Sequence, residues 1–220
     1  MNNSAPTAAA SGRLIVIAAP SGAGKTTLVR ALMKLHPELR FSISFTTRPP
    51  RVTEVPGQDY HFVSLATFEN MLAAGEFLEH ASVFDHYYGT SRRQVADLLA
   101  AGHSVILEID WQGARQVREH MPECRSVFIL PPSIAELKRR LVNRGTDTAA
   151  VIERRFRDAV SDMSHWREFD YAVINNELAA ATAELAAIAL DAPGNEASRT
   201  IDAALQQRVA GILADAPEVS

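Results

Sequence analysis

The sequence predicts an α/β protein, a parallel sheet flanked by helices, with an inserted subdomain and a helical lid. Two observations carry this prediction. First, four short apolar runs, LIVIAA, SVILEID, SVFIL and DYAVIN, are each followed by a stretch with apolar residues at helical spacing. Strands that alternate with helices form parallel sheets that are covered on both faces. Second, a glycine-rich turn joins the first run to its helix, which is the arrangement of a phosphate-binding loop.

The core of the fold is predicted from three parts of the chain. Residues 13–43 contain the first strand and its helix, and residues 103–135 and 162–190 contain the other pairs. Residues 1–12 carry no Lys or Arg and no long apolar run, so we expect a disordered tail and not a signal peptide. Residues 191–220 begin as a linker, DAPGNEAS, and end in a stretch of helical spacing, IDAALQQRVAGILA.

Two segments interrupt this regular pattern. Residues 44–102 are rich in aromatic residues and turns and contain short β-like pieces such as YHFVS, FLEHASVF and HYYGTS. We interpret them as an inserted subdomain. Residues 136–161 contain several arginines in an otherwise helical pattern, with Gly145 as a break between two helices. We interpret this basic helical hairpin as a mobile lid.

The composition limits the classes of function. A chain of 220 residues with 47% hydrophobic residues can fold as one body with a sizeable core. Its net charge of -4 argues against a nucleic-acid partner. Cys124 is the only cysteine, which excludes an internal disulfide and a cysteine-rich metal site and fits a reducing compartment. No apolar stretch is long enough to span a bilayer, so we expect a soluble cytoplasmic protein without a membrane partner.

The segment APSGAGKT lies between a buried strand and a helix N-terminus. Its small residues let consecutive N–H groups surround a phosphate, and the helix dipole favours the anion. Lys25 would contact the β- and γ-phosphates, and the Thr26 hydroxyl would bind Mg²⁺. The GxxxxGK[ST] pattern has glycine where this chain has Ala19, and a glycine-rich turn that only caps a helix is the alternative. We predict nucleotide binding by nine residues: Ala19, Pro20, Ser21, Gly22, Ala23, Gly24, Lys25, Thr26 and Thr27.

A basic cluster follows in the segment SFTTRPPRVTE. Arg48 and Arg51 flank a Pro-Pro pair, which stiffens the backbone and can hold two guanidinium groups toward one anion. A monophosphate is a suitable target, and Tyr60 and Tyr88 could add hydroxyl donors to it. The alternative is a solvent-exposed basic hairpin with tyrosines in the core, which this cluster alone does not exclude.

Two acids, Glu108 and Asp110, end the buried run SVILEID. As alternate residues they point the same way, into a cleft, if the strand stays regular to its end. Asp110 is similar to the acid that supports Mg²⁺ through water in phosphate-loop enzymes. The alternative role of Asp110 is to cap the following helix, WQGARQV.

The motifs SFTTRPPR, GQDYHFVS, GEFLEHA, YYGTS, EIDWQGA, FILPPS and RGTD, together with APSGAGKT, occur in the order found in guanylate kinases. The chain resembles the bacterial type of this family over about residues 13–190. The resemblance implies the phosphate-loop nucleoside monophosphate kinase fold, with a GMP-binding insertion and a lid that closes over ATP. It also implies transfer of a phosphoryl group from ATP to GMP, and to dGMP, with Mg²⁺, in purine nucleotide metabolism.

The resemblance assigns Ser44 and Glu79 to the reading of guanine. A carboxylate can accept the adjacent N1–H and N2–H groups of guanine, whereas adenine would leave it unpaired. A surface glutamate is the alternative for Glu79. The family often has Asp at the position of Glu108, which leaves the contact of this longer acid open. The implied GMP site comprises Ser44, Arg48, Arg51, Glu54, Tyr60, Glu79, Tyr88, Thr90, Glu108 and Asp110.

The resemblance also assigns the groups that act on the transferring phosphate. Arg140, Arg144 and Arg155 of the lid match arginines that the family brings to it. The reaction needs charge stabilisation and alignment more than a strong base, because a phosphate oxygen of GMP is already a nucleophile. Asn175 lies at the position that contacts the adenine of ATP, and Arg144 is also placed at ATP. The implied catalytic residues are Lys25, Arg48, Arg140, Arg144 and Arg155.

Two other functions stay open. A kinase for another monophosphate or for a small phosphorylated sugar would share the loop, although Ser44 and Glu79 argue against it. A non-catalytic module, as in kinase-like domains of some scaffold proteins, would usually have a damaged loop, whereas Lys25 and Thr26 are present. The expected partners are ATP and GMP, with Mg²⁺ as cofactor. The sequence does not decide whether the chain forms a homo-oligomer.

Overall fold

The computed structural model describes most of the chain in four ranges: 12–83, 85–143, 148–190 and 203–216. The predicted tail of 1–12 and the predicted linker after 190 lie almost wholly outside these ranges. The described residues form nine strands, eight helices and one 3₁₀ turn, Ser164–Glu168. In chain order the strands and helices are β1 (Leu14–Ala18), α1 (Lys25–Leu35), β2 (Arg40–Phe41), β3 (Phe45–Thr46), β4 (His61–Phe62), α2 (Leu65–Ala73), β5 (Phe77–Val83), β6 (His86–Ser91), α3 (Arg92–Ala100), β7 (Val105–Glu108), α4 (Trp111–His120), β8 (Arg125–Leu130), α5 (Ile134–Val142), α6 (Ala149–Met163), β9 (Tyr171–Ile174), α7 (Leu178–Leu190) and α8 (Ala203–Ala214).

The larger sheet has five strands in the order β2-β7-β1-β8-β9, and all neighbouring strands are parallel. The unbroken apolar run of β1 fits its central position, because both of its faces are buried. Ile15 and Ile17 pack in one hydrophobic cluster with α1 and α7. Val16 and Ala18 pack in a second cluster with α4, α5 and α6. The predicted fold class, a parallel sheet flanked by helices, is confirmed.

The smaller sheet has four strands in the order β4-β3-β6-β5. All four lie within the predicted insertion of 44–102. The antiparallel pairing of β5 with β6 places Glu79 opposite Thr90, and β3 pairs antiparallel with β6 and parallel with β4. β5 also packs against α4. The insertion is therefore held beside the carboxyl end of β7, where α4 begins.

The two helices of the predicted lid region begin at side-chain caps. The Ser133 hydroxyl caps α5, and the Thr148 hydroxyl caps α6. The predicted lid of 136–161 starts inside α5, whose Leu137 and Leu141 are fully buried in the second cluster. Because one face of α5 belongs to the core, this helix is anchored there along its length.

The last helix, α8, lies in the predicted C-terminal segment. Its Val209 and Ile212 are buried in the same cluster as α4 and α6, so this segment adds to the hydrophobic core. None of the helices in the described part of the chain is long and apolar enough to cross a membrane.

Candidate active site

The candidate active site is a cleft of about 960 Å³ at the carboxyl ends of β1 and β7. Open parallel sheets bind their ligands at this end of the strands. Most of the predicted site residues line the cleft: Ala19, Pro20, Ser21, Gly22, Gly24, Lys25, Thr26, Thr27, Ser44, Arg51, Tyr60, Glu79, Tyr88, Glu108, Asp110, Arg140, Arg155 and Asn175. Four further predicted residues contact members of this lining: Ala23, Arg48, Glu54 and Thr90.

The phosphate loop turns sharply between β1 and α1. Gly22 and Gly24 have φ values of 88° and 90°, a region that glycine adopts without strain. A Cβ on Gly24 would also lie 2.5 Å from the side-chain nitrogen of Asn175. Ala19, which replaces the first glycine of the pattern, packs against the cluster that contains α1. The loop therefore has room for a methyl group at Ala19 but needs glycine at 24.

Lys25 and Thr26 open α1 and reach across to the end of β7. The Lys25 Nζ donates to the carbonyl oxygen of Ile109 at 2.6 Å. Burial lowers the pKa of Lys25, although the attraction of nearby carboxylates, Glu108 foremost, opposes the shift. The Thr26 hydroxyl donates to the carboxylate of Glu108. One cation, one hydroxyl and one carboxylate thus converge beside the loop.

Asp110 performs the capping role that the sequence left open. Its Oδ1 accepts from the backbone N–H of Gly113 at 2.7 Å at the start of α4. β7 ends at Glu108, so the strand is not regular through Asp110. Both acids nevertheless line the cleft, and burial raises the pKa of Asp110. Capping occupies one oxygen of Asp110 and is compatible with a second contact in the cleft.

Glu79 is a buried acid, not a surface glutamate. It is 2% exposed, and burial raises its pKa to about 7. The Thr90 hydroxyl donates to Glu79 Oε1 at 2.5 Å, and the Ser44 hydroxyl lies 3.5 Å from that of Thr90. These three side chains from β5, β6 and the residue before β3 form one polar row, of which Glu79 and Ser44 line the cleft while Thr90 is fully buried. The row thereby presents a carboxylate and one hydroxyl to a ligand.

Arg48 is held by a carboxylate, that of Glu54. The Arg48 Nη2 donates to both oxygens of Glu54, at 2.8 and 2.9 Å, and the backbone N–H of Arg51 donates to Glu54 at 2.8 Å. Burial would raise the pKa of Glu54, but the hydrogen bonds from Arg48 and Arg51 and the positive charges of both arginines together outweigh it and keep the pKa below its usual value. The Arg48 guanidinium also lies over the Tyr60 ring, 5.5 Å from its centroid.

Tyr60 and Tyr88 meet edge to face, with ring centroids 5.9 Å apart. Burial raises the pKa of Tyr60 to about 12, so its hydroxyl keeps its proton at neutral pH and can donate to an anion. Arg51 is more than half exposed at its side chain. The two arginines therefore differ, since Arg48 is fixed by its neighbours and Arg51 is open to solvent.

Arg140 and Asn175 both contact the phosphate loop, at the end of the cleft away from the smaller sheet. The Arg140 Nη1 and the Asn175 Nδ2 donate to the same carbonyl oxygen, that of Ala23, at 3.0 and 2.8 Å. The Arg140 Nη2 donates to the Asn175 carbonyl oxygen at 3.0 Å. These bonds join α5, the end of β9 and the loop into one unit.

A further acid holds Arg140 in place. Glu136 accepts from Arg140 at 2.7 Å and from Arg139 at 2.6 Å. The hydrogen bonds from Arg139 and Arg140 lower the pKa of Glu136 to about 2, so the acid is ionised at neutral pH. Arg155 lines the same cleft, whereas the predicted Arg144 lies outside the described residues.

Sequence reasoning missed several groups around the cleft. The Trp111 Nε1 donates to Asp162 at 2.9 Å, and the Trp111 ring stacks on His165 with centroids 3.5 Å apart. Burial raises the pKa of Asp162 to about 6. No local pattern identifies Asp162, which lies 51 residues from Trp111. Glu136 does belong to a helix-start pattern, S-x-x-E, but this pattern does not reveal its bond to Arg140.

Comparison with known proteins places these residues in a family. A family model described as guanylate kinase matches residues 11–192. A guanylate kinase of Alkalilimnicola ehrlichii is 56% identical over 177 residues, which are 80% of this chain and 87% of that protein. A guanylate kinase of Thiobacillus denitrificans is 52% identical over 180 residues, 82% of this chain and 86% of that protein.

A solved structure is similar in fold as well as in sequence. The crystal structure of guanylate kinase from Anaplasma phagocytophilum superposes with a TM-score of 0.70 at 33% identity. The match covers 82% of this chain and 86% of that one. Residues 193–220, which include α8, lie beyond the segment that the family model matches.

Proposed function

The chain belongs to the guanylate kinase family and phosphorylates GMP to GDP with ATP as donor, and we propose that three segments divide this work. The insertion of 44–102 binds GMP. The phosphate loop binds ATP, and the part of the lid of 136–161 that follows the anchored helix α5 closes over the phosphate that is transferred. The core of 13–43, 103–135 and 162–190 carries these parts. This division is supported by the single cleft that residues of all three segments line.

Glu79 and Ser44 read the base of GMP. The Glu79 carboxylate accepts the N1–H and N2–H groups of guanine, and the Ser44 hydroxyl donates to O6. Thr90 supports this contact through its 2.5 Å hydrogen bond to Glu79. Adenine lacks the adjacent pair of donors, so its binding would leave the buried carboxylate without the two donors that guanine supplies and would be rejected.

The phosphate of GMP is held by Arg48, Arg51, Tyr60 and Tyr88. Arg48 is already fixed by Glu54 and by the Tyr60 ring, so little side-chain entropy is lost when it binds the anion. Arg51 is exposed and closes on the phosphate from the solvent side. Holding the nucleophilic oxygen in line with ATP is the main contribution of these groups to catalysis.

ATP occupies the loop at the other end of the cleft. The loop from Ala19 to Thr27 surrounds its phosphates with backbone N–H groups, which Pro20 alone lacks, and Asn175 contacts adenine. Lys25, Arg140 and the lid arginines Arg144 and Arg155 stabilise the charge that spreads over the transferring phosphoryl group. Closure of the lid excludes water and prevents simple hydrolysis of ATP.

Kinases that use ATP generally need a divalent metal, and we propose Mg²⁺ here. The donors fit, because the Thr26 hydroxyl and the Glu108 carboxylate meet beside the loop and Asp110 lines the same cleft. No group of three His, Cys, Asp or Glu side chains in the described part of the chain could hold a metal alone. Thr26 would hold the ion directly and Asp110 through water, with ATP oxygens as the other ligands. Bound Mg²⁺ neutralises phosphate charge.

The cytoplasm is the compartment that we propose for this enzyme. Cys124 is the only cysteine of the chain, and burial raises the pKa of its thiol to about 11. A buried thiol of this kind is inert, so the fold uses no cysteine chemistry that an oxidising compartment would supply.

The observation that carries the assignment of guanine is the burial of Glu79 in the same cleft as Lys25. Its test is the ratio of kcat/KM for GMP to that for AMP in Glu79→Gln, measured by coupled ADP release. We expect the ratio to fall at least about 10-fold, since an amide cannot accept both donors of guanine. An unchanged ratio would remove Glu79 from base recognition.

A further inference from the structure

The N-terminal turn of α4 lies directly against the carboxylate of Glu79. Gly113 is the third residue of this helix, and an added Cβ on Gly113 would lie 2.4 Å from Glu79 Oε2. The same Cβ would lie 3.2 Å from Asp110 Oδ1. A contact under 3.0 Å is one that Cβ atoms do not make, so the carboxylate of Glu79 occupies the space of a missing side chain.

Backbone conformation does not explain this glycine. Gly113 is absent from the glycines with positive φ, which are found at five other positions of the described chain. Glycine inside a helix is otherwise unfavourable relative to alanine, because its backbone is freer in the unfolded chain. The reason for Gly113 is therefore the space that it leaves for its neighbour.

We propose that Gly113 is a specificity-determining residue, which positions Glu79 for guanine by letting its carboxylate lie against the start of α4. The proposal rests on the proposed role of Glu79 as the acceptor of the guanine N–H groups. Gly113 touches no substrate and acts through Glu79, so it is a positioning residue.

The surroundings of Glu79 leave its carboxylate few other positions. Oε1 accepts the 2.5 Å hydrogen bond from Thr90, which is fully buried, and Asp110 lies on the same side as Gly113. A methyl group at 113 would therefore push Oε2 by about 1 Å, a displacement large enough to spoil a catalytic or binding geometry. The two oxygens would turn away from the plane of the two guanine donors. Adenine offers no such pair of donors, so the substitution lowers kcat/KM for GMP more than kcat/KM for AMP.

The fold has reason to survive this substitution. The atom that the new Cβ would meet is the end of a flexible side chain and not backbone. Alanine is also the better helix former. The variant therefore separates a loss of specificity from a loss of structure.

The test compares Gly113→Ala with Gly211→Ala. Gly211 lies inside α8, and a Cβ there would meet nothing within 4 Å, so it controls for the effect of alanine in a helix. We expect Gly113→Ala to lower the ratio of kcat/KM for GMP to that for AMP by about 10-fold or more. The KM for ATP should stay within about twofold, and Gly211→Ala should leave both quantities unchanged. An unchanged GMP-over-AMP ratio in Gly113→Ala overturns the proposal.

A double variant shows whether the effect passes through Glu79. In a Glu79→Ala background the methyl group at 113 has room, so Gly113→Ala should cause no further loss. An additional loss as large as in the wild-type background would contradict the proposal. If Gly113→Ala does not unfold cooperatively, the double variant is tested for folding. Recovery of folding in the double variant would still locate the clash at Glu79. If neither variant folds, the proposal is overturned.

The same experiment separates this proposal from the one on which it rests. If Glu79→Ala alone leaves the GMP-over-AMP ratio unchanged, Glu79 does not read guanine and the proposed function of this residue fails. If Glu79→Ala lowers the GMP-over-AMP ratio of kcat/KM and Gly113→Ala does not, only the inference on Gly113 fails.

Discussion

At the scale of single residues, the charged carboxylate of Glu79 lowers the stability of the folded protein without bound nucleotide. It is 2% exposed, and burial raises its pKa to about 7. The charged form lacks the water that solvates an exposed acid, and one hydroxyl, that of Thr90, compensates in part. In the proposed site guanine supplies two further donors. Binding of GMP is therefore expected to offset the free-energy cost of burying this carboxylate.

Glu79→Gln is expected to stabilise the empty protein at pH 8 and much less at pH 5. A raised pKa means that Glu79 contributes fully to stability below about 4.5, its value in the unfolded chain, and that this contribution is lost as the pH rises through about 7. At pH 8 the wild-type protein bears a penalty of up to roughly 3 kcal/mol, which a neutral glutamine lacks. Thermal unfolding at both pH values measures the difference.

Glu76→Gln is the matched control for this measurement, because Glu76 is an exposed acid immediately before β5. Its melting temperature should follow that of the wild-type protein at both pH values. Equal melting temperatures of Glu79→Gln and the wild-type protein at pH 8 would show that Glu79 is not a buried charge.

Lys25→Ala is expected to lower kcat by at least about 100-fold while the protein stays folded, because the variant loses a cation that we propose to contact the transferring phosphate. Lys25 reaches from α1 to the carbonyl oxygen of Ile109 at 2.6 Å. Lys34 lies in the last turn of the same helix and is exposed, so Lys34→Ala is the control and should keep wild-type activity. Near-normal turnover in Lys25→Ala would contradict the proposed mechanism.

At the scale of elements, the connection between β3 and β4 acts through Glu54. This acid accepts two hydrogen bonds from Arg48 and one from the backbone of Arg51. The Arg48 Nη2 lies between the two Glu54 oxygens, and the Nη1 donates to the carbonyl oxygen of Pro49, so the guanidinium is restrained in one orientation. The connection is therefore ordered by Glu54 without a bound ligand, as the proposed phosphate site requires.

Glu54→Gln is expected to raise the KM for GMP by about 10-fold with a smaller change in kcat, because Arg48 loses its fixed orientation but keeps its charge. Steady-state kinetics with GMP as the varied substrate measures this split. Glu69→Gln on α2, an exposed acid of the same insertion, should have wild-type kinetics. A fall in kcat with no change in KM would place Glu54 at the chemical step and contradict a positioning role.

Elements with a strong local pattern were predicted closely. The apolar run LIVIAA gives β1 as Leu14–Ala18, and the glycine-rich turn and helical spacing give α1 as Lys25–Leu35. β2, by contrast, was not predicted as a strand. It has two residues, and its pairing partner Val105 in β7 lies far along the chain. Such a short strand is defined by its neighbour and has no periodicity of its own.

At the scale of the whole molecule, the cleft joins residues that lie far apart in sequence. Asn175 contacts Ala23 across 152 residues, and Lys25 contacts Ile109 across 84. The resemblance to guanylate kinases predicts the acid, the hydroxyls and the lid arginines of the proposed site, and the chemistry of these groups fits a nucleotide. The resemblance could not show that Glu79 lies against Gly113, since that contact depends on how β5 packs on α4.

The central claim is that one cleft combines a phosphate loop with a carboxylate that selects guanine. The most direct measurement is coupled ADP release by the wild-type protein with ATP and a panel of GMP, AMP, UMP and dTMP. We predict a kcat/KM for GMP at least about 100-fold above that for each other monophosphate. Comparable values for GMP and AMP would contradict the claim.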